Sequence, residues 1–286
     1  MIRAATRGSA LARWQADHVA WLLGQVGAGE VAPVVVSTAG DRDKVTPLHV
    51  IGGKGVFVKE VQAAVLDGRA DIAVHSAKDL PAITPDGLVI CGVPERADHR
   101  DVLIGCTLDD LSAGARVGTG SIRRQVQLRA ARPGIEMVEI RGNIDTRLAL
   151  VGELDAIVMA GAALDRLGLS PEVVDRLDPE TMLPQVGQGT LAIECRADDL
   201  ETIEALAKID DARSHRRLDA ERGFLVELGG DCDLPAGAFA QIDGDEVLVR
   251  AMLANGDGEP TYLEGQGTNG TEVGRQLAIE LRSLVS

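Results

Sequence analysis

Residues 68–74, GRADIAV, share a pattern with residues 152–158, GELDAIV: a glycine, two variable positions, an aspartate and three apolar residues. A second pair precedes them in the same order. ATRGS at 5–9 and GTGS at 118–121 each place Gly and Ser between an apolar run and a helical pattern. Such an internal repeat predicts two similar α/β lobes, the first enlarged by a loop around residues 38–55. Chance similarity between short strand-helix units is the alternative.

Apolar runs alternate with amphipathic segments as far as residue 200, which is typical of an α/β fold with mainly parallel sheets. Beyond it, alternating apolar positions and a last helix near 272–284 predict a small sheet with one solvated face. The acidic stretches 94–101 and 177–189 connect the lobes, and two connections favour a cleft that opens and closes. The predicted domains are a discontinuous first lobe, a second lobe and a C-terminal α+β domain, at residues 1–94 with 189–208, 98–184 and 212–286.

The 286-residue chain carries 29 basic and 44 acidic residues, a net charge of −15. That charge argues against nonspecific binding to nucleic acid or to an anionic membrane. The basic residues comprise 24 arginines and 5 lysines. Planar guanidinium groups suit bidentate binding of carboxylate or phosphate, although genomic base composition also produces such a skew.

The cysteines form no CxxC pair and no Cys/His group at zinc spacing; they are Cys91, Cys106, Cys195 and Cys232. We therefore expect free thiols and no metal. Residues 1–14 lack the basic segment and apolar core of a signal peptide, and no apolar stretch reaches the roughly 18 residues of a membrane helix. We expect a cytoplasmic protein.

Ser9 and Ser121 lie where helices are predicted to begin, and the free N–H groups of a helix N-terminus are natural anion sites. Each serine is equally compatible with simple capping of its helix. Local charge favours an anion near the second serine, since residues 116–147 contain seven arginines and three acids. Arg123 and Arg124 fall in the first turn after Ser121, so we predict that this pair faces the anion.

Further guanidinium groups come from Arg141, Arg147 and, in the first lobe, Arg7. Several separate arginines predict a ligand with several carboxylates. A phosphate ligand more often uses a glycine-rich cradle, but residues 51–57, IGGKGVF, lack the G-x-x-x-x-G-K-[ST] pattern of a P-loop. We interpret this stretch as a mobile lid.

Residues 75–79, HSAKD, directly follow the apolar run DIAV. In open α/β sheets, ligand crevices lie at the C-terminal ends of strands. Lys78 is placed to bind a ligand carboxylate, and Asp79 to meet a developing positive charge or an N–H group. A surface ion pair between these two residues is the alternative. For His75 we favour packing against the sheet.

Cys232 lies in the stretch ELGGDCDLPAG. The flanking Asp231 and Asp233 disfavour its thiolate, which argues against a nucleophile of the cysteine-protease type. A structural thiol is the default for an isolated cysteine. A glycine-rich acidic loop is poorly placed for core packing, however, so covalent attachment of another group stays open.

The chain resembles the porphobilinogen deaminase family over about residues 2–240. The shared motifs occur in the family's order: TRGSALARWQ, GGKGVFVKEV, DIAVHSAKDLP, GTGSIRRQVQLR, RGNIDTRL, DRLGL, LPQVGQGTLAIECR and GGDCDLPAG. The resemblance implies two lobes like those of type II periplasmic binding proteins, with mixed sheets, plus a small α+β C-terminal domain. It also implies a transferase of haem biosynthesis that polymerises four porphobilinogen molecules into linear hydroxymethylbilane, releasing ammonia.

The resemblance assigns an expected role to each matching residue. Asp79 matches the catalytic carboxylate, and Cys232 matches the cysteine that holds a dipyrromethane cofactor through a thioether. The cofactor-binding positions match Ser76, Lys78, Asp79, Thr119, Ser121, Arg123 and Arg124. The substrate-binding positions match Arg7, Ser9, Arg141, Arg147, Arg166 and Gln188. The active-site loop matches Lys54 and Phe57.

Porphobilinogen is therefore the expected small-molecule partner of a monomeric protein that binds neither nucleic acid nor membrane. The competing interpretation is a non-catalytic, two-lobed carboxylate-binding receptor or effector domain. The missing export signal and the Cys232 loop disfavour that interpretation.

Overall fold

The computed structural model describes residues 1–38, 55, 58–229, 234–256 and 258–285. Contacts divide this part of the chain into two compact units, residues 1–97 with 190–216 and residues 98–189 with 217–286. The first unit is discontinuous, because the chain leaves it and later returns. The division into three domains stays a prediction.

The strands are numbered in chain order: β1 (Ile2–Arg7), β2 (Val31–Val36), β3 (Ile72–Ser76), β4 (Leu88–Gly92), β5 (Asp101–Ile104), β6 (Arg116–Gly118), β7 (Glu136–Val138), β8 (Ala156–Ala160), β9 (Val174–Arg176), β10 (Leu191–Arg196), β11 (Ala236–Asp243), β12 (Glu246–Leu253) and β13 (Thr261–Gly267). The described helices are α1 (Ala10–Gln25), α2 (Lys59–Leu66), α3 (Ile122–Ala131), α4 (Ile144–Leu148), α5 (Gly161–Leu167), α6 (Leu200–Ala207), α7 (Ala212–Leu228) and α8 (Gly270–Val285). None of the helices in the described ranges is long and apolar enough to span a bilayer.

The first unit contains a five-stranded sheet in the order β2-β1-β3-β10-β4. Strand β1 runs parallel to β2 and β3, whereas β10 runs antiparallel to both β3 and β4. The antiparallel strand therefore enters the sheet only after the chain has passed through the second unit.

The second unit repeats this topology in the order β7-β6-β8-β5-β9. Strand β6 is parallel to β7 and β8, and β5 is antiparallel to β8 and β9. The GRADIAV and GELDAIV stretches lead into the equivalent central strands β3 and β8. The predicted internal repeat and the α/β class with mixed sheets are thus confirmed. The expectation of mainly parallel sheets is wrong, because β10 and β5 each run antiparallel to both of their neighbours.

Helices bury the central strands on both faces, which explains why these strands are continuous apolar runs. All five residues of β8 are buried, as are the first four of β3. Val19 and Leu23 of α1 pack in one core of the first unit. Val61 and Val65 of α2 pack in the other. The C-terminal ends of the strands are left free to carry polar side chains.

The antiparallel sheet β11-β12-β13 packs against α7 and α8 in one apolar core. These two helices cross closely because each has a glycine at the crossing. A Cβ on Gly274 would clash with the carbonyl oxygen of Ala220, and one on Gly223 would clash with that of Thr271. The predicted small α+β element at the C-terminus, with its last helix, is confirmed.

Candidate active site

A pocket in the first unit opens beside the C-terminal ends of β1 and β3. Strand β3 ends at Ser76, and a single 3₁₀ turn, Ala77–Asp79, follows it. The turn brings the half-buried Asp79 into the pocket wall. The lining residues are Arg7, Ser9, Leu11, Ala12, Gln15, Val58, Val61, Val74, His75, Ser76 and Asp79.

The pocket brings together several of the predicted site residues. Arg7 is the last residue of β1 and Ser9 is the N-cap of α1, so one strand-helix turn supplies both side chains. The amide of Gln15 on α1 donates a hydrogen bond of 2.7 Å to the hydroxyl of Ser76. This bond ties α1 to the end of β3, directly before Asp79. Lys78 lies in the same turn and is half-buried.

His75 is buried, with 5% of its surface exposed, which confirms the expected packing against the sheet. Its Nε2 atom lies 3.0 Å from Oε2 of Glu194 on the neighbouring strand β10. The imidazole also forms part of the wall of the Asp79 pocket.

In the second unit, Arg123 and Arg124 meet a buried carboxylate at the start of β5. Nη2 of Arg123 lies 2.7 Å from one oxygen of Asp101, and Nη2 of Arg124 lies 2.8 Å from the other. Arg123 also donates to the carbonyl oxygen of Leu183, and Arg124 to that of Val158. The pair that we expected to face a ligand is therefore already held by an internal acid.

Two guanidinium groups share one carboxylate here, so the cluster has an excess positive charge. Burial on its own would raise the pKa of Asp101, but the charges of Arg123 and Arg124 outweigh burial and hold that pKa at about 2. Burial lowers the pKa of the Arg123 guanidinium, and the Asp101 charge opposes that shift. Nε of Arg123 is buried without a hydrogen-bond partner among the described residues. Such a cluster attracts a further anion.

The two predicted helix N-termini differ in how they are capped. The hydroxyl of Ser9 accepts a hydrogen bond from the backbone N–H of Ala12, so it caps α1. The side chain of Ser121 makes no such bond at the start of α3. Instead, the backbone N–H of Ser121 donates to the hydroxyl of Thr119. The first turn of α3 is thus better prepared for an external anion than that of α1.

Gln188 and Arg166 also lie in the second unit. The Gln188 amide donates to the Asp101 carboxylate at 3.0 Å and to the carbonyl oxygen of His99 at 2.8 Å. Gln188 is fully buried, so its side chain is not exposed to a substrate in this structure. Arg166 donates to the carbonyl oxygen of Gly189, and burial lowers its pKa to about 10. It still carries a full charge at neutral pH.

Arg141 precedes the short helix α4, and Arg147 lies within it. Asn143 caps α4 by accepting a hydrogen bond from the N–H of Thr146. Nε of Arg147 donates to the carbonyl oxygen of Gly142, which has a φ of +113° that favours glycine. The turn therefore fixes the backbone between the two arginines, both of which are half-buried.

Sequence reasoning missed three residues that build these sites. Asp101 lies in the stretch that we read as a connection between lobes, outside the arginine-rich window. For Gln15, the sequence offered no signal beyond its position in a predicted helix. A Cβ on Gly237 would meet the carbonyl oxygen of Pro184 at 2.8 Å and Cδ of Arg123 at 3.3 Å, so glycine lets β11 approach the arginine cluster. In the sequence, the glycine that ends the LPAG segment was the one signal for that approach.

Three predicted site residues lie outside the described residues. They are Lys54, Phe57 and Cys232.

Two models of known protein families match this chain. Residues 2–204 match the family model described as "Porphobilinogen deaminase, dipyromethane cofactor binding domain". Residues 216–283 match the model of the C-terminal domain of the same enzyme. The chain belongs to the porphobilinogen deaminase family. This assignment confirms the resemblance and does not favour the non-catalytic receptor.

Curated relatives match over nearly the whole chain. The porphobilinogen deaminase of Syntrophus aciditrophicus is 48% identical over 282 residues, covering 96% of this chain and 92% of that protein. That of Roseiflexus sp. is 44% identical over 280 residues, with coverage of 96% and 92%. Among solved structures, a periplasmic substrate-binding protein from Coxiella burnetii covers 73% of this chain and 91% of its own, at 16% identity and a TM-score of 0.45.

The residues of the second unit fit the dipyrromethane cofactor that the family domain is named for. Each pyrrole ring of that group carries carboxylate side chains, which need cationic partners. The Asp101 cluster supplies two guanidinium groups against one internal carboxylate, and within the described ranges Nε of Arg123 has no hydrogen-bond partner. The uncapped first turn of α3 adds backbone N–H donors.

Proposed function

We propose that this chain is a transferase that joins four porphobilinogen molecules head to tail and releases ammonia at each addition. The supporting observation is the pocket at the ends of β1 and β3, in which Asp79 and Arg7 line one wall. An acid and a guanidinium in the same pocket suit a substrate that has carboxylates at its edge and an N–H group and a departing amine at its centre.

In this proposal Asp79 is the catalytic residue. Its carboxylate stabilises the positive charge that develops on the pyrrole as the amine leaves and again as the new carbon–carbon bond forms. The 3₁₀ turn places Asp79 directly after β3, and the Gln15–Ser76 hydrogen bond holds the end of that strand. A carboxylate on a fixed turn needs little reorganisation during each step.

Substrate carboxylates would be bound by guanidinium groups on separate elements. We assign this role to Arg7, Arg141, Arg147 and Arg166, with Ser9 and Gln188 as polar partners. Because each added ring brings two more carboxylates, a growing chain needs several such contacts. The Gln188 amide donates hydrogen bonds to Asp101 and His99. These bonds support a second role, in which Gln188 orients the carboxylate that holds the two arginines.

The cofactor would be attached through a thioether to Cys232. Its carboxylates would be held by Thr119, Ser121, Arg123, Arg124, Ser76 and Lys78. When bound, the dipyrromethane supplies the free pyrrole position to which the first substrate is added.

The remaining assignments belong to the same proposal. Lys54 and Phe57, which lie outside the described residues, keep the active-site-loop role that the resemblance implies, and the protein acts as a monomer in the cytoplasm. It has three domains, with the cofactor cysteine in the third.

The test is to supply purified holoenzyme with porphobilinogen and to look for a linear tetrapyrrole by its absorbance after cyclisation and oxidation. Asp79→Asn should lower kcat by about 100-fold or more, while substrate still binds. A wild-type protein that binds porphobilinogen but forms no tetrapyrrole would refute the proposal.

A further inference from the structure

Three polar side chains form an internal cluster behind the Asp79 pocket. Glu194 on β10 is fully buried, and Nε2 of His75 on β3 lies 3.0 Å from its Oε2 atom. The amide of Gln62 on α2 donates to both oxygens of Glu194, at 3.1 and 2.9 Å. The imidazole contact falls outside hydrogen-bond geometry despite its short distance. Hydrogen bonds of catalytic side chains are often poorly aligned before the substrate binds.

A buried ionic cluster of this kind is weak evidence for a stabilising role. Burying a carboxylate costs several kcal/mol unless charge and hydrogen bonds compensate, and well-packed apolar side chains often stabilise a core as well or better. The surrounding core is apolar, with Val61, Val65 and Ala73 on the same side of the sheet. Because His75 lies in the pocket wall, a functional role of the cluster in the reaction is the alternative.

Among the residues that line the pocket in the described part of the chain, Arg7, His75 and Asp79 have ionisable side chains. An arginine does not release its proton in proteins. Asp79 must stay ionised while it stabilises positive charge on the substrate. His75 is then the lining side chain that is able to take up a proton and give it back.

The reaction needs such a group. At each addition the C–N bond of one aminomethyl group breaks and a C–C bond forms to a ring carbon of the accepting pyrrole. The aminomethyl group enters as an ammonium and leaves as ammonia, and the proton that the ring carbon loses converts that ammonia to ammonium. One proton therefore moves from a ring carbon to the departing nitrogen, with no other reactant consumed.

We propose that His75 carries this proton and that Glu194 is the positioning residue that stabilises its imidazolium form. This inference rests on the proposed function. Gln62 holds the Glu194 carboxylate in place without changing its charge. The arrangement follows the general rule that a buried acid orients a catalytic imidazole and balances its charge.

The experiment uses the holoenzyme and the variants His75→Gln and Glu194→Gln. His18→Gln is the matched control, because His18 lies on α1, stacked between Trp14 and Trp21. Intact mass first verifies that each variant retains the cofactor. Steady-state kinetics then give kcat and KM for porphobilinogen, and imidazole ¹⁵N shifts at pH 7 show whether both ring nitrogens of His75 carry protons.

His75→Gln should lower kcat by about 100-fold, and Glu194→Gln by at least about tenfold. KM should change by less than about threefold in both variants, and His18→Gln should match the wild type. The ring ¹⁵N shifts of His75 should differ between the wild type and Glu194→Gln, because the variant removes the carboxylate beside Nε2. If His75→Gln fails to fold, the kinetics and ring signal of Glu194→Gln decide the question.

A His75→Gln enzyme with near wild-type kcat would overturn the inference and leave the proposed function intact. Ring ¹⁵N shifts of His75 that are unchanged in Glu194→Gln would also overturn it. A wild-type protein that makes no tetrapyrrole would overturn both.

Discussion

Nη2 of Arg123 lies 2.7 Å from Oδ2 of Asp101, and both side chains are removed from solvent. Arg124 and Gln188 contact the other oxygen of the same carboxylate. One internal acid therefore fixes two guanidinium groups and an amide before any ligand arrives. Preorganised cations bind an anion with little loss of side-chain entropy, and the surplus charge of the cluster remains available for it.

Replacing the acid should be costly. Asp101→Asn leaves two buried guanidinium groups without a counter-charge, so we expect it to lower the free energy of unfolding by about 3–5 kcal/mol. Urea denaturation at pH 7 measures the change. Asp98→Asn is the control, because its partners Arg100 and Arg176 are partly exposed, and it should cost under about 1 kcal/mol. Equal losses in the two variants would contradict the special role of the buried acid.

The same carboxyl predicts an acid-dependent stability. The pKa of Asp101 falls from an ordinary value of 3.8 to about 2 in the folded state. Because the folded pKa is the lower one, the stabilisation is fully present above about pH 4 and is lost as the pH falls through 2. It amounts to about 2 kcal/mol. The difference in unfolding free energy between wild type and Asp101→Asn should therefore shrink from pH 5 to pH 2. A constant difference over that range would argue against this coupling.

The two helix N-termini should respond differently to loss of a hydroxyl group. Ser9→Ala removes a capping bond to Ala12 and should destabilise the protein by about 1 kcal/mol. Ser121→Ala removes no capping bond, so its effect on stability should stay within about 0.5 kcal/mol. Thermal unfolding of the two apo variants makes the comparison. A larger loss for Ser121→Ala would mean that this serine is structural.

Cofactor attachment is expected at one thiol. Cys232→Ser should reduce the intact mass of protein from pathway-competent cells to the sequence mass. Cys106→Ser is the matched control, since burial and nearby acids raise the pKa of the Cys106 thiol and make it a poor nucleophile. That variant should keep the added mass of one dipyrromethane. Retention of the added mass in Cys232→Ser would place the attachment elsewhere.

Much of the fold follows from local pattern. The repeated G-x-x-D segments predicted β3 and β8 because strands buried on both faces must be apolar along their length. The same logic placed Ser76 and Asp79 at the end of β3, where side chains leave the core. Helix α8 followed from its amphipathic spacing. In each case the signal lies within a few consecutive residues.

The partner of Arg123 and Arg124 could not be predicted from local sequence patterns. Counting charges between residues 116 and 147 indicated an anion near Arg123 and Arg124, and an anion is present, but it is the protein's own Asp101. That acid begins β5, more than twenty residues earlier in the chain. Antiparallel pairing of β5 with β8 sets its place in the sheet, and no local pattern encodes that pairing.

The sequence by itself determined the family, the repeated α/β architecture and the types of side chain at the site, because motifs and strand periodicity are properties of neighbouring residues. Tertiary structure decided which charged side chains form internal ion pairs and which remain available to a ligand. It pairs Asp101 with two arginines and places Glu194 against His75, because contacts between residues distant in the chain form only when strands from different parts of it share one sheet.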